Sequence, residues 1–146
     1  MKHIITTFLL LVLLSSCGAK QPTILSTTSN PSVSSLDYEP FLDITENAPD
    51  KEYGLVESKP IKVGERSAVN QRRFIASLAG PDGQVLSFYR VGSCCPYASE
   101  NGLGGSALVD IYQVTYDGLK DPILLYISFY DFEKLYIPNG FVKREL

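Results

Sequence analysis

The chain has 146 residues and a mass of 16.1 kDa, with 45% apolar and 20% charged residues. That is room for one domain of ordinary size, and it excludes a (β/α)8 barrel or a two-domain dinucleotide enzyme, which take roughly 200 residues or more. A formal net charge of −3 leaves no positive excess to neutralise phosphates, so no nucleic-acid partner is expected.

Met1-Lys2-His3 is a charged start, Ile4–Leu14 is apolar apart from Thr6 and Thr7, and the small residues Ser15 and Ser16 precede Cys17. This order is that of a secretory signal, and the apolar run is shorter than the ~20 residues that span a bilayer. Leu14-Ser15-Ser16-Cys17 resembles the lipobox of bacterial lipoproteins, in which the cysteine is acylated and the chain is cut before it. The resemblance implies a signal peptide over 1–16, lipidation at Cys17 and a membrane partner through the N-terminal lipid. Gly18 in place of Asp after the cysteine implies, by the same resemblance, the outer membrane, with the periplasmic face as the expected side. Each buried methylene of such an anchor contributes about 0.8 kcal/mol, so two or three chains hold firmly where one does not.

Removal of residues 1–16 leaves 130 residues and takes away His3, the one histidine, and Met1, the one methionine. Without imidazole there is no Ser-His-Asp or Cys-His machinery and no histidine zinc site. No catalytic residue, metal or cofactor is therefore assigned.

Residues 17–40 are dominated by Ser, Thr, Pro and Asn without apolar periodicity. They read as the lipidated cysteine and a flexible tether with a reach of roughly 25 Å. The globular domain is expected over 41–146. Tyr53–Glu57 suggests a short strand, and Lys59–Gly64 an extended segment at a sheet edge. A helix is expected over 68–78, with Ser67 as N-cap, an apolar stripe of Phe74, Ile75 and Leu78, and Gly80-Pro81 as its stop. Arg72 and Arg73 read as solvated.

From Gln84 the period becomes two. Gln84–Val91, Ala107–Tyr116 and Pro122–Tyr130 read as strands. Pro81-Asp82-Gly83 turns into the first, and the short Asp117–Asp121 link makes an antiparallel hairpin of the other two. Asp131–Leu135 suggests a helical turn. The strand tyrosines admit an aromatic platform for sugars or a peptide, but cross-strand packing at the core edge is preferred. The fold class is α+β: one helix packed on an antiparallel sheet of three to five strands in a single domain.

The most unusual stretch lies between the first two of these strands and reads as a loop. Ser93, Cys94, Cys95, Pro96, Asn101, Gly102, Gly104 and Gly105 are its candidate redox or ligand residues. In an oxidising envelope the adjacent cysteines would pair through a small, distorted ring whose strain makes the bond labile. Four readings stand: a redox or ligand-sensing vicinal disulfide, a Cu(I) pair lacking Met or His, a catalytic cysteine with Asp110 or Glu100 as a poor base, and a structural pair that shapes the segment. The last is preferred. The glycines could cradle an anion, but they lack the Lys-Ser/Thr of a P-loop and the dinucleotide spacing. They are read instead as tight-turn residues.

Tyr53-Gly54, Pro60–Gly64, Arg72-Arg73-Phe74, Gly92-Ser93-Cys94-Cys95-Pro96, Asn101-Gly102-Leu103 and Tyr130–Leu135 together resemble a family of small bacterial lipoproteins with a Ser-Cys-Cys-Pro motif and no assigned role. The likeness spans roughly residues 53–141. Some members carry the label 2-dehydro-3-deoxyphosphooctonate aldolase. That label implies a barrel about twice this length acting on cytoplasmic phosphorylated substrates, so no catalytic residue is carried over. The leading expectation is a non-enzymatic accessory or binding module of the envelope, within an outer-membrane protein assembly. The alternative is thiol-dependent redox or ligand sensing at Cys94-Cys95, and a third reading is a small-ligand receptor.

Overall fold

The computed structural model describes residues 32–146. The expected signal peptide over 1–16, Cys17 and the first part of the expected tether lie outside the described residues. The fold is α+β, with one α-helix, a five-stranded sheet and a separate two-stranded sheet.

Residues 32–40, expected to belong to the tether, pack against the domain. Strand β1 (Val33–Ser34) pairs antiparallel with Phe88 and Ser87. A single 3-10 turn follows over Ser35–Asp37, closed by a capping box in which Ser34 Oγ accepts from Leu36 N and Asp37 Oδ2 accepts from Ser34 N. One bridge and one turn are too short to show periodicity, yet Ser35 is buried and the Tyr38 ring packs 5.9 Å from Phe88.

The sheet order is β1-β4-β5-β6-β2, with β2 (Ile61–Lys62), β4 (Ser87–Leu103), β5 (Ser106–Thr115) and β6 (Ile123–Ser128). It is mixed, not antiparallel throughout: β2 lies at the edge, as its Pro and Gly flanks suggested, but runs parallel to β6. A two-residue edge strand leaves no pattern from which its direction can be read. Tyr53–Glu57 forms turns, not a strand; Gly54 has φ +71, and its carbonyl accepts from Tyr126 N on β6 at 2.9 Å. The hairpin of β5 and β6 is antiparallel, and Gly118 takes φ +86 in its turn.

Helix α1 (Ala68–Ala76) leans its Phe74 and Ile75 into the core beside Phe88, Tyr112, Val114, Leu125 and Ile127. Alternation places Tyr112 and Val114 of β5 inward, which is the packing role preferred for these aromatics. Ser67 occupies the N-cap but makes no side-chain cap bond. Gly80 does not end the helix as a left-handed residue. The helix closes at Ser77, and strand β3 (Leu78–Ala79) pairs with β7 (Val142–Lys143). Gly80 serves close packing instead: a Cβ there would lie 2.5 Å from Gln84 Oε1 and 3.1 Å from the Tyr116 ring. Asp131–Leu135 forms no helical turn; Phe132 bridges Val63.

Candidate functional site

The stretch expected as a loop is a strand. β4 continues through Cys94 and Cys95 to Leu103, and its hairpin with β5 closes at Gly104 and Gly105, with φ +61 and +80. The sequence concealed this because the strand is broken three times by register shifts, at Arg90/Gly92, Cys94/Tyr97 and Ala98/Leu103. Extra residues in one strand bend it and re-aim its side chains.

Cys94 pairs with Val109 and Tyr97 with Ala107, so Cys95 and Pro96 together face Leu108. The two cysteines are disulfide-bonded, with an S–S distance of 2.08 Å and a Cα–Cα distance of 3.7 Å. Cys95 has φ +54, a left-handed backbone that a residue with a Cβ adopts at a cost. Pro96 has no N–H to give a ladder, and a bulge does not ask for one.

Curling of the bulged arm brings it to the far edge of the sheet. Cys95, Pro96 and Tyr97 face Glu57, Pro60 and Lys62 across an open cleft of about 360 Å3. Glu57 Oε2 lies 3.4 Å from Cys95 Sγ, and Lys62 Nζ sits 5.2 Å from the Tyr97 ring centroid. The Tyr97 hydroxyl and Ser128 Oγ are 2.9 Å apart, and Ser128 Oγ donates to the Leu108 carbonyl at 3.0 Å. Burial pushes the Tyr97 phenol above its ordinary range.

The remaining candidates go elsewhere. Ser93 turns to the opposite face of the sheet, where its Oγ donates to Asp110 Oδ1 at 2.6 Å. Asp110 also accepts from Arg90 at 2.7 Å and from Gln71 at 2.9 Å. It is therefore committed to a polar network, not to a cysteine, and does not serve as the base considered for one. Asn101 Nδ2 and Ser99 Oγ donate to Asp131 Oδ1 at 2.8 and 2.7 Å, holding that carboxyl below its ordinary value. Arg66 donates to the Asn101 carbonyl at 2.7 Å. Gly102 is required by proximity: a Cβ there would lie 2.0 Å from the Ser106 carbonyl oxygen. Gly104 and Gly105 form the turn in open space, with no other atom within 4 Å of where a Cβ would lie.

Of the predicted set, Cys95 and Pro96 reach the cleft with Cys94 bonded behind them. Ser93, Asn101 and the glycines do not. Glu57, Lys62 and Tyr97 are the residues sequence reasoning missed. Glu57 is 38 positions from Cys95, and no local pattern announces a contact made by the curl of a sheet. Among the described residues, no group of three or more His, Cys, Asp or Glu side chains is placed to hold a metal, and no helix is long and apolar enough to cross a membrane. Comparison of the chain with protein-family models, curated proteins and solved structures gives no match.

Proposed function

We propose that this chain is an outer-membrane lipoprotein, anchored through Cys17 and facing the periplasm, whose single domain is a non-enzymatic accessory or binding module of the cell envelope. The anchor rests on the Leu14–Cys17 resemblance and on the small-lipoprotein likeness. The observation that supports binding is the bulged distal arm of β4. It carries the disulfide to the wall of the 360 Å3 cleft and ends in Leu103, which is 90% exposed. A tethered domain with an apolar-tipped arm is suited to an assembly partner.

Detergent extraction of the native lipoprotein, followed by pull-down, is expected to recover a stable partner that Leu103→Asp releases. Recovery of the lone chain at every salt concentration contradicts the reading. Intact mass with and without thiol alkylation checks the anchor: the expected species begins at Cys17, bears acyl chains and takes up no alkylating agent until reduced.

The alternative, thiol-dependent activity, is favoured by the sulfur of a formed disulfide at a cleft wall. An external dithiol supplies the two electrons. Its thiolate attacks one sulfur and forms a mixed disulfide while the other cysteine leaves as thiolate and takes a proton. The second external thiol then closes the reagent's own disulfide and leaves both cysteines reduced. Cys94→Ser and Cys95→Ser are each expected to abolish activity in a domain that still folds. An intact phenotype in both excludes this alternative.

A further inference from the structure

A second cleft, on the opposite face of the sheet from the disulfide, has the makings of a ligand site. Phe88 and Tyr112 form its floor, both buried, with ring centroids 6.0 Å apart in an edge-to-face arrangement. The Tyr38 ring stands beside them, tilted against Phe88. Two arginines from different elements reach this aromatic floor, Arg72 from α1 and Arg90 from β4, and the space enclosed is about 320 Å3. That is the size of a small-molecule pocket, at the lower end of roughly 300–1,000 Å3.

The charges do not cancel. Arg90 is paired with Asp110, whose carboxylate is buried and fully engaged by Arg90, Ser93 and Gln71. Gln71 is held in turn by the Ile127 carbonyl and the Tyr112 hydroxyl. This chain of bonds fixes the Arg90 guanidinium while leaving its side chain 47% exposed. Arg72 has no carboxylate within salt-bridge distance among the described residues. Its Nη1 donates to the Ala68 carbonyl at 3.1 Å, and its guanidinium lies over the Tyr38 ring at 5.7 Å. A guanidinium carries five N–H donors, so both arginines keep donors to spare. Residues 1–31 contain no Asp or Glu, so the preceding segment of the chain brings no carboxylate to this cleft.

We propose that this cleft binds a small carboxylate carrying a flat apolar ring, with the ring against Val33 and Tyr38, which Phe88 and Tyr112 back from the core, and the carboxylate on Arg72 and Arg90. A fixed guanidinium and a planar donor fork suit a carboxylate better than a point charge would. A free aryl acid and the C-terminal aromatic residue of a peptide share this chemistry.

The test uses the full chain in nonionic detergent, with binding followed by saturation-transfer NMR at fixed detergent concentration. Phenylacetate is compared with its neutral amide, and acetylglycyl-phenylalanine is run beside them to separate the two sources. Phenylacetate or the peptide is expected to bind about tenfold tighter than the amide, because charge-assisted bonds are roughly twice as strong as neutral ones. About 0.5 M salt is expected to shrink the preference. Arg72→Gln is expected to remove the preference while the far-UV circular dichroism stays that of the parent, and Arg66→Gln, remote from the cleft, is expected to keep it. Equal binding of acid and amide, a preference that survives Arg72→Gln in a folded chain, or no saturable binding of any probe overturns the proposal. If Arg72→Gln loses its fold, the acid-to-amide ratio and its salt dependence in the unaltered chain decide alone.

Discussion

From Ser87 to Arg90, β4 runs in unbroken register with β5, and its inward Phe88 joins the core. From Arg90 to Leu103 the same strand shifts register three times, and its far part is held by polar ties to Ser128, Asp131 and Arg66. The proximal half is fixed by burial, which has no direction and tolerates little loss. The distal half is fixed by a handful of specific contacts in the open, each worth little by itself. Stability is therefore concentrated in one half of the hairpin, and ligand-accessible chemistry in the other.

The largest effect expected is at Phe88, buried among Tyr38, Tyr112 and the helix. Phe88→Ala should cost about 3–5 kcal/mol, read from the urea midpoint of the full chain. Next comes Asp110→Ala, which strips a shared acceptor from Arg90, Ser93 and Gln71. Loss of one partner of a fully buried pair costs about 3–5 kcal/mol; Arg90 is half exposed and can turn toward water, so about 2–3 kcal/mol is expected, chiefly from Gln71 and Ser93 left without their acceptor. A cost near zero for Phe88→Ala would erase the contrast between the halves.

The distal half has one position where a small change should act strongly. Gly102→Ala pushes a methyl group into the Ser106 carbonyl, and overpacking of this kind costs about 1–3 kcal/mol. Hydrogen exchange should quicken at residues 98–106 and stay slow at 112–115. Replacement of both Cys94 and Cys95 by serine should matter less. The loop this disulfide closes is minimal, so little chain entropy is at stake, and a cost below about 1 kcal/mol is expected. Faster exchange confined to the distal arm would sharpen the comparison; a global loss of protection would break it.

What was legible in the sequence follows the same division. The α1 helix, the β5 strand and the β5–β6 hairpin were readable because Phe74, Tyr112, Val114, Leu125 and Ile127 recur at the period of a face that must be buried. The α+β class followed from them. The distal arm was not readable as a strand. Pro96 and the glycines at 102, 104 and 105 carry the local signature of a loop, and bulges let a strand hold them. The vicinal cysteines were recognised as a unit, but their surroundings were not. Glu57 and Lys62 come to the disulfide through the curl of the sheet, and the aromatic–arginine cleft depends on residues 33–38, whose composition is that of a tether.

The smallest effect expected is at two carboxylates on the segment after β6, Asp131 and Glu133. Asp131 accepts from Asn101 and Ser99, and those bonds hold its carboxyl below the ordinary value. The folded chain then binds fewer protons at this site than the unfolded chain, so its contribution to stability is present above the ordinary Asp range and is lost as pH falls through the folded value. Glu133 is raised by burial, against the opposing pull of the Lys62 backbone N–H, which it accepts at 3.1 Å. Its contribution is present below the ordinary Glu range and is lost as pH rises through the folded value. Urea midpoints taken from about pH 3 to 7 should show the two as mirror images, each below about 1 kcal/mol. Asp131→Asn should be less stable than the parent near neutrality and converge with it in acid. Glu133→Gln should gain near neutrality and converge with the parent in acid. Parallel curves for Asp131→Asn would mean that the Asn101 and Ser99 bonds add nothing in solution, and the distal arm would then be held by its ladder with β5 and by the Tyr97 and Arg66 bonds.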